Sequence, residues 1–274
     1  MDLIATLQCA DQRGIVHAMT SSVLACQGNI IENQQFTDPV TNSFVMRTRF
    51  ETSSSLDSAR KVLFEGLSKF NPDLTIRDNA SPKRALVMVT KESHCLRDLL
   101  YLLELGELPI QIPVVVGNHE ELKSLVESHG IKFRYLPVSS ENKASAETQL
   151  LSIIDSEKID FLVLARYMQI LSPDFCDKLS NRIINIHPSL LPKYGGAGMY
   201  GQRVHEAVFS NKEPNTGITI HLVNEHYDEG EILVQHACAV HPNDTPATIE
   251  SKVQQLEHQF FPKAVEQYCL SLKR

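Results

Sequence analysis

The chain has 274 residues, too many for one small module and suited to one large domain or two unequal ones. With 42% hydrophobic and 22% charged residues it has the composition of a soluble globular protein, and a formal net charge of -7 excludes the basic footprint of a nucleic-acid or anionic-membrane binder. The partner to expect is a small molecule or another protein. Six cysteines (Cys9, Cys26, Cys95, Cys176, Cys238, Cys269) are scattered without a C-x-x-C pair. The start MDLIATLQCADQRG has no signal-peptide pattern and no apolar run reaches membrane length, so the expected compartment is the cytoplasm, with thiols reduced.

Leu3, Ala5, Leu7 and Cys9 alternate and predict a strand. GIVHAMTSSVLACQG then carries Ile15, Met19, Val23 and Cys26 at helical spacing and stops at Gly28. NIIENQQFTD and NSFVMRTRFE flank Asp38-Pro39, a turn signal, and make a hairpin. SSSLDSARKVLFEGLSKF opens on capping serines and gathers Leu56, Ala59, Val62, Leu63 and Leu67 on one face; DLTIRD adds a last strand, and NASPKR is a short polar linker. The order predicts a ferredoxin-like βαββαβ domain over residues 1–80. Within it, ADQRGIVHAMTSSVLACQGNI resembles the opening of an ACT domain, a regulatory module whose family binds small ligands, often amino acids. That resemblance implies a ligand loop at Asp11, Gly14 and Ile15 with Asn29 after the helix, and pairing of copies into a homo-oligomer. The competing reading is the same fold used for oligomerisation alone.

From Arg84 the grammar changes. RALVMVT, QIPVVVGN, KFRYLPV, DFLVLARY and RIINIH are short, apolar and rich in β-branched residues, and helical segments such as KASAETQLLSIIDSEK lie between them. Strands buried on both faces and separated by helices predict an α/β domain over residues 84–274 with a doubly wound, mostly parallel sheet. Ligands of such sheets bind beyond the carboxyl ends of the strands. GITIHLV, EILVQHACAV and a long terminal helix opened by Asp244, Thr245 and Pro246 complete the chain.

INIHPSLLPKYGG ends one of these strands on a histidine and passes at once into two prolines and two glycines. Asn185 and His187 interrupt Ile183, Ile184 and Ile186, and such polar groups are costly to bury unpaired. Either both aim at a ligand from the strand's open end, or they are core residues satisfied by backbone. In NEHYDEGE, Asp228 sits in a polar loop that turns at Gly230. It is either solvated or the carboxylate that acyl transfer needs beside a histidine and an asparagine, one group taking protons from the nucleophile and the others stabilising the oxyanion.

NIHPSLLPKYGG, ARYMQILSP and GITIHLVNEHYDEGEILVQ are similar to the folate-dependent formyltransferase fold, shared by glycinamide ribonucleotide formyltransferases and formyltetrahydrofolate deformylases. The resemblance covers nearly the whole second domain. It implies Asn185, His187 and Asp228 as catalytic residues. It also implies a folate site built from Met168, Gln169, Ile170 and Leu171 and from Asn224, Glu225, His226 and Tyr227. The implied reaction is formyl hydrolysis or transfer from 10-formyltetrahydrofolate, which is substrate, with no cofactor and no metal. Asp228 would act on the nucleophile, directly or through water, while His187 and Asn185 hold the oxyanion; a nearby Asp228 would raise His187 toward its protonated state.

The nucleophile separates the two branches. The nucleotide transferase has a Gly-rich turn after its first strand, where backbone amides cradle the substrate phosphate. Here VMVTKESHCLRDLLY has no glycine, and Glu92 would repel an anion. TKESHCLRDLL resembles the deformylase, as does an ACT domain ahead of the catalytic one. That implies hydrolysis to formate and tetrahydrofolate, formate supply for purine synthesis, a balance of one-carbon folate pools, and glycine or methionine as effector. Two departures pull toward the transferase: His187 is followed by Pro188 where the deformylase pattern reads His-His-Ser, and KYGGAGMYGQ lacks that pattern's arginine. A transferase is thus the alternative. An inactive amino-acid or folate sensor is a second one, against which the intact Asn, His and Asp argue. A metal hydrolase built on His187, His205, His221, His226, Asp228 and His236 has irregular spacing and no H-E-x-x-H. Ser189 lacks a G-x-S-x-G elbow and reads as a turn cap.

Overall fold

The structure is a computed structural model that describes residues 1–79 and 82–272; Ala80 and Ser81 of the expected linker lie outside the described residues. The chain divides into two compact units, Met1–Pro82 and Lys83–Arg274. Among the described residues no helix is long and apolar enough to cross a membrane.

In the first unit β1 (Asp2–Ala10), α1 (Ile15–Ala25), β2 (Gly28–Asp38), β3 (Ser43–Thr52), α2 (Leu56–Leu67) and β4 (Asp73–Asp78) follow in chain order. The sheet runs β2-β3-β1-β4 and is antiparallel throughout. Alternation along β3 turns Phe44, Met46 and Phe50 into one core with Leu3 and Leu7 of β1 and the inward residues Met19, Val23, Leu63 and Leu67 of the two helices. Ser55 caps α2 by accepting from the Ser58 amide at 3.3 Å. Of the expected ligand-loop residues, Asp11, Gly14 and Asn29 are exposed, and the Asp11 amide donates to the Asn42 carbonyl at 2.9 Å. Ile15 instead turns inward and packs in the core at 1% exposure, as an apolar residue on the first turn of an amphipathic helix does.

The second unit contains β5 (Lys83–Val89), α3 (His94–Glu104), β6 (Ile110–Gly117), α4 (Lys123–Ser128), β7 (Lys132–Tyr135), α5 (Lys143–Ser156), β8 (Phe161–Leu164), α6 (Pro173–Lys178), β9 (Ile183–His187), α7 (Gln202–Ser210), β10 (Asn215–Leu222), β11 (Ile232–Ala239) and α8 (Pro246–Ser271). Its seven-stranded sheet has the order β11-β10-β9-β8-β5-β6-β7. β5 to β9 are parallel, whereas β10 and β11 are antiparallel. Neighbouring residues of one strand feed cores on opposite faces: Ala85, Val87, Val163 and Ile184 on one side, Leu86, Met88, Leu162 and Ile183 on the other. The chain winds from β5 outward to β7, then returns to lay β8 on the other flank of β5. That reversal opens a crevice at the carboxyl ends of β5 and β8.

Candidate active site

The site begins with a register. β9 pairs antiparallel with β10 so that His187 faces Thr219 and Asn185 faces His221, and residues opposite each other in a ladder project from the same side of the sheet. Asn185, His187 and His221 therefore share one face at the open end of β9. The polar loop after β10 closes against them because Gly230 has no side chain: a Cβ there would run into the Leu222 carbonyl oxygen. The loop carries Asp228 in a left-handed conformation, φ 58°. One carboxylate oxygen, Oδ2, accepts from the Gly196 amide at 2.9 Å and lies 3.6 Å from His187 Nδ1. The other, Oδ1, lies 3.6 Å from His221 Nε2.

The partners fix the ring protons. His187 Nε2–H donates to the Tyr194 carbonyl at 2.8 Å, so Nδ1 is the acceptor of a neutral ring. His221 Nδ1–H donates to the Leu222 carbonyl at 2.8 Å, and its Nε2 accepts from Asn185 Nδ2 at 3.1 Å. Burial holds His187 below the usual histidine range; the Asp228 charge acts in the opposite direction and is outweighed. The expectation of a His187 raised toward its charged form is thereby corrected: at 4% exposure the ring is nearly dehydrated. Burial alone would raise Asp228, yet it ends below an ordinary aspartate, the hydrogen bond from the Gly196 amide being one of the interactions that favour the charged form.

These groups line a cleft of about 440 Å³. Met168, Gln169, Ile170 and Leu171 border it, and so do Asn224, His226 and Tyr227. Glu225 does not: it is exposed and lies 3.6 Å from His226 Nε2, because a polar loop residue facing water gains nothing by burial. Thr90 Oγ1 accepts from the Met168 amide at 2.8 Å, so the turn after β5 pins the segment after β8. Pro188 and the glycines 196, 198 and 201 complete the wall.

Three groups escaped the sequence reading. Gly196 contributes a backbone amide, which carries no sequence signal of this use. His221 enters the sequence analysis only as a possible metal ligand; the alternation Thr219-x-His221, two polar residues on one face of an apolar strand, is the signal that marks it. Arg166, a lone cation closing the apolar run LVLAR, borders the cleft at 5% exposure. Of the other histidines, His226 borders the cleft but is exposed, and His236 is stacked on Phe260 with centroids 3.4 Å apart. Among the described residues, potential ligand atoms gather instead at His94, Cys95 and Glu257, within 4.8 Å of one another. There Glu257 already pairs with His94 Nε2 at 2.6 Å and with Arg166 Nη1 at 3.3 Å, so its carboxylate is engaged in an ion-pair network. Ser189 Oγ donates to the Lys193 carbonyl at 2.6 Å, the bond of a turn cap.

The sequence profile described as formyl transferase matches residues 83–265. A formyltetrahydrofolate deformylase of Corynebacterium sp. (strain P-1) is 36% identical over 269 residues, 97% of this chain and 92% of the relative, and one from Bacillus subtilis is 35% identical over 95% and 86%. Among solved structures, the formyltetrahydrofolate deformylase of Pseudomonas syringae is 30% identical with a TM-score of 0.67, covering 98% of this chain and 89% of that one. The phosphoribosylglycinamide formyltransferase of Coxiella burnetii is 28% identical with a TM-score of 0.62, and covers 69% of this chain and 88% of its own.

Proposed function

This chain belongs to the formyl transferase family, and we propose that it hydrolyses 10-formyltetrahydrofolate to formate and tetrahydrofolate. The observation that carries the choice of water is coverage: the Corynebacterium and Bacillus deformylases match 97% and 95% of this chain, whereas the transferase structure leaves nearly a third of it unmatched.

The site supports a plain sequence of steps. His187 Nδ1 and Asp228 Oδ2 are both acceptors, 3.6 Å apart, and can each take one hydrogen of a single water. The water's lone pairs then point outward, at the formyl carbon of a folate held against the 168–171 segment. Attack forms the C–O bond and an oxyanion, to which Asn185 Nδ2, oriented by His221, donates. The proton lost by the water passes to His187 or Asp228 and on to N10 of the folate as the C–N bond breaks. The formic acid released ionises to formate. His187 donates to the oxyanion only after taking that proton, because its one N–H is already given to Tyr194.

Purified protein given 10-formyltetrahydrofolate alone should release formate and tetrahydrofolate, and glycinamide ribonucleotide should change nothing. Pro188 and the glycine-rich wall favour the transferase alternative; folate product that appears only with the nucleotide, together with formylated nucleotide, would establish it. Tight folate binding without turnover would instead favour the sensor.

We read the first unit as an ACT-type, ferredoxin-like module that binds glycine or methionine near Asp11 and Gly14, pairs copies into a homo-oligomer and regulates a cytoplasmic enzyme of one-carbon metabolism. The βαββαβ order and the strand order β2-β3-β1-β4 support that reading. A chain starting near Lys83 should keep turnover and lose its response to either amino acid; a soluble, folded truncation without turnover would mean that the unit helps build the site.

A further inference from the structure

The proposed hydrolysis makes an anion where none existed, since a neutral formyl amide becomes formate. Asp228, kept ionised, repels it. Burial keeps the neighbouring His187 and His205 uncharged. Two cations border the cleft, Lys143 and Arg166. Lys143 opens α5 beside Ser139 and Ser140 and is only half-buried. Arg166 has a side chain 4% exposed and shares the wall with Asn185 and His187. Its backbone is left-handed, φ 60°, a conformation that costs a residue bearing a Cβ about 1–2 kcal/mol, and it occupies the loop just after β8, at the switch point of the sheet.

The guanidinium is gripped from behind. Glu257 of α8, 1% exposed, places Oε1 3.3 Å from Nη1, and its Oε2 is held by His94 Nε2 at 2.6 Å. With both carboxylate oxygens engaged, Glu257 cannot turn away, and Arg166 cannot follow it out of the cleft. Arg166 Nε, in contrast, is buried and has no hydrogen-bond partner, a state that costs roughly 1–3 kcal/mol. A planar group with two equivalent oxygens is the natural match for the guanidinium edge that Nε leaves unpaired.

We propose that Arg166 is a product-binding residue that receives formate as it leaves the tetrahedral intermediate, with Glu257 and His94 as the positioning residues that hold it. The inference rests on the hydrolytic reading. It is tested on the full chain without folate, by titrating carbon-13-labelled formate against constant chloride and following its NMR line width. Wild-type protein should bind formate saturably; Arg166→Gln should weaken binding tenfold or more, and Arg166→Lys, which keeps a charge opposite Glu257 but loses the planar edge, several-fold. Because Arg166→Gln strands a buried carboxylate, the Arg166→Gln/Glu257→Gln pair accompanies it as a variant with no unpaired charge. Formate bound by either glutamine variant or by the lysine variant as tightly as by wild type overturns the proposal, as does wild-type protein that binds formate no better than chloride. Binding at Arg166 in a protein that fails to hydrolyse the folate would sink the hydrolytic reading alone; hydrolysis with formate indifferent to Arg166 would sink this inference alone.

Discussion

Acid should loosen the second unit through His205. This side chain lies on the inner face of α7 at 1% exposure, and its Nδ1 has no hydrogen-bond partner. Burial, and then the charge of Arg166, lower its pKa from 6.5 to about 4. An unfolded chain leaves the ring at its ordinary value, so between those two limits the unfolded state binds more protons. Stability therefore rises with pH across the window and is lost as pH falls from about 6.5 to about 4. At roughly 1.4 kcal/mol per pH unit, the drop corresponds to about 3 kcal/mol. His205→Leu removes the titration and the unpartnered nitrogen together, and at pH 7 it should lie within about 1 kcal/mol of wild type. The chain has no tryptophan, so urea unfolding is best followed by far-UV circular dichroism, at pH 7 and again near pH 4.5. The carboxylates titrate in both proteins and largely cancel in the difference. By the lower pH the leucine variant should have gained about 2–3 kcal/mol on wild type. Curves that run parallel across this interval would show that His205 does not carry the acid sensitivity.

Asp228→Asn keeps the size of the side chain and an acceptor for the Gly196 amide but loses the charge; turnover should fall by about two orders of magnitude or more with little change in KM, and retention of a third of wild-type activity would remove Asp228 from the mechanism. His221→Phe keeps a ring in the same buried place but takes the acceptor away from Asn185 Nδ2, so kcat should drop by about tenfold while KM moves less, short of the roughly hundredfold or more that loss of the oxyanion donor itself would cost; an equal rise in KM would mark a packing role instead. His187 must be neutral to hold the water, and burial lowers its folded value. The plateau of kcat/KM should therefore persist as pH falls below the ordinary histidine value of about 6.5 and fade only beneath it; an acid limb centred above 6.5 contradicts this.

What the sequence disclosed and what it hid follow from the range of the interactions. The strands of the second unit were legible because burial on both faces demands runs such as RALVMV and DFLVL, a local property. The direction of β10 and β11 was not, since antiparallel pairing depends on which strand a segment meets. Asn185, His187 and Asp228 stood out as polar groups where apolar or solvated residues were expected, and the structure brings all three to one end of β9. His221 joins them only through the register of two strands 36 residues apart. The protonation of His187 was misjudged for a related reason. A nearby carboxylate can be guessed from a motif, but desolvation is set by everything packed around the ring.

The turn between β5 and α3 bears on the choice between water and amine. A transferase needs the chain after its first strand to present bare amides to a phosphate. Here the residues of that turn are engaged inward: Thr90 accepts from the Met168 amide, and His94, the first residue of α3, holds Glu257, which in turn holds Arg166. A phosphate seated there would meet the exposed Glu92 in front. His94 and Glu257 thus hold Arg166 at the wall of the cleft that His187 also lines, where the proposed hydrolysis would discharge its new anion. Glu257→Gln should accordingly leave the protein no better at using glycinamide ribonucleotide while releasing Arg166 from its anchor and weakening formate binding. A gain of transferase activity in that variant would show that the ion pair is a barrier to the nucleotide and not a support for the hydrolase.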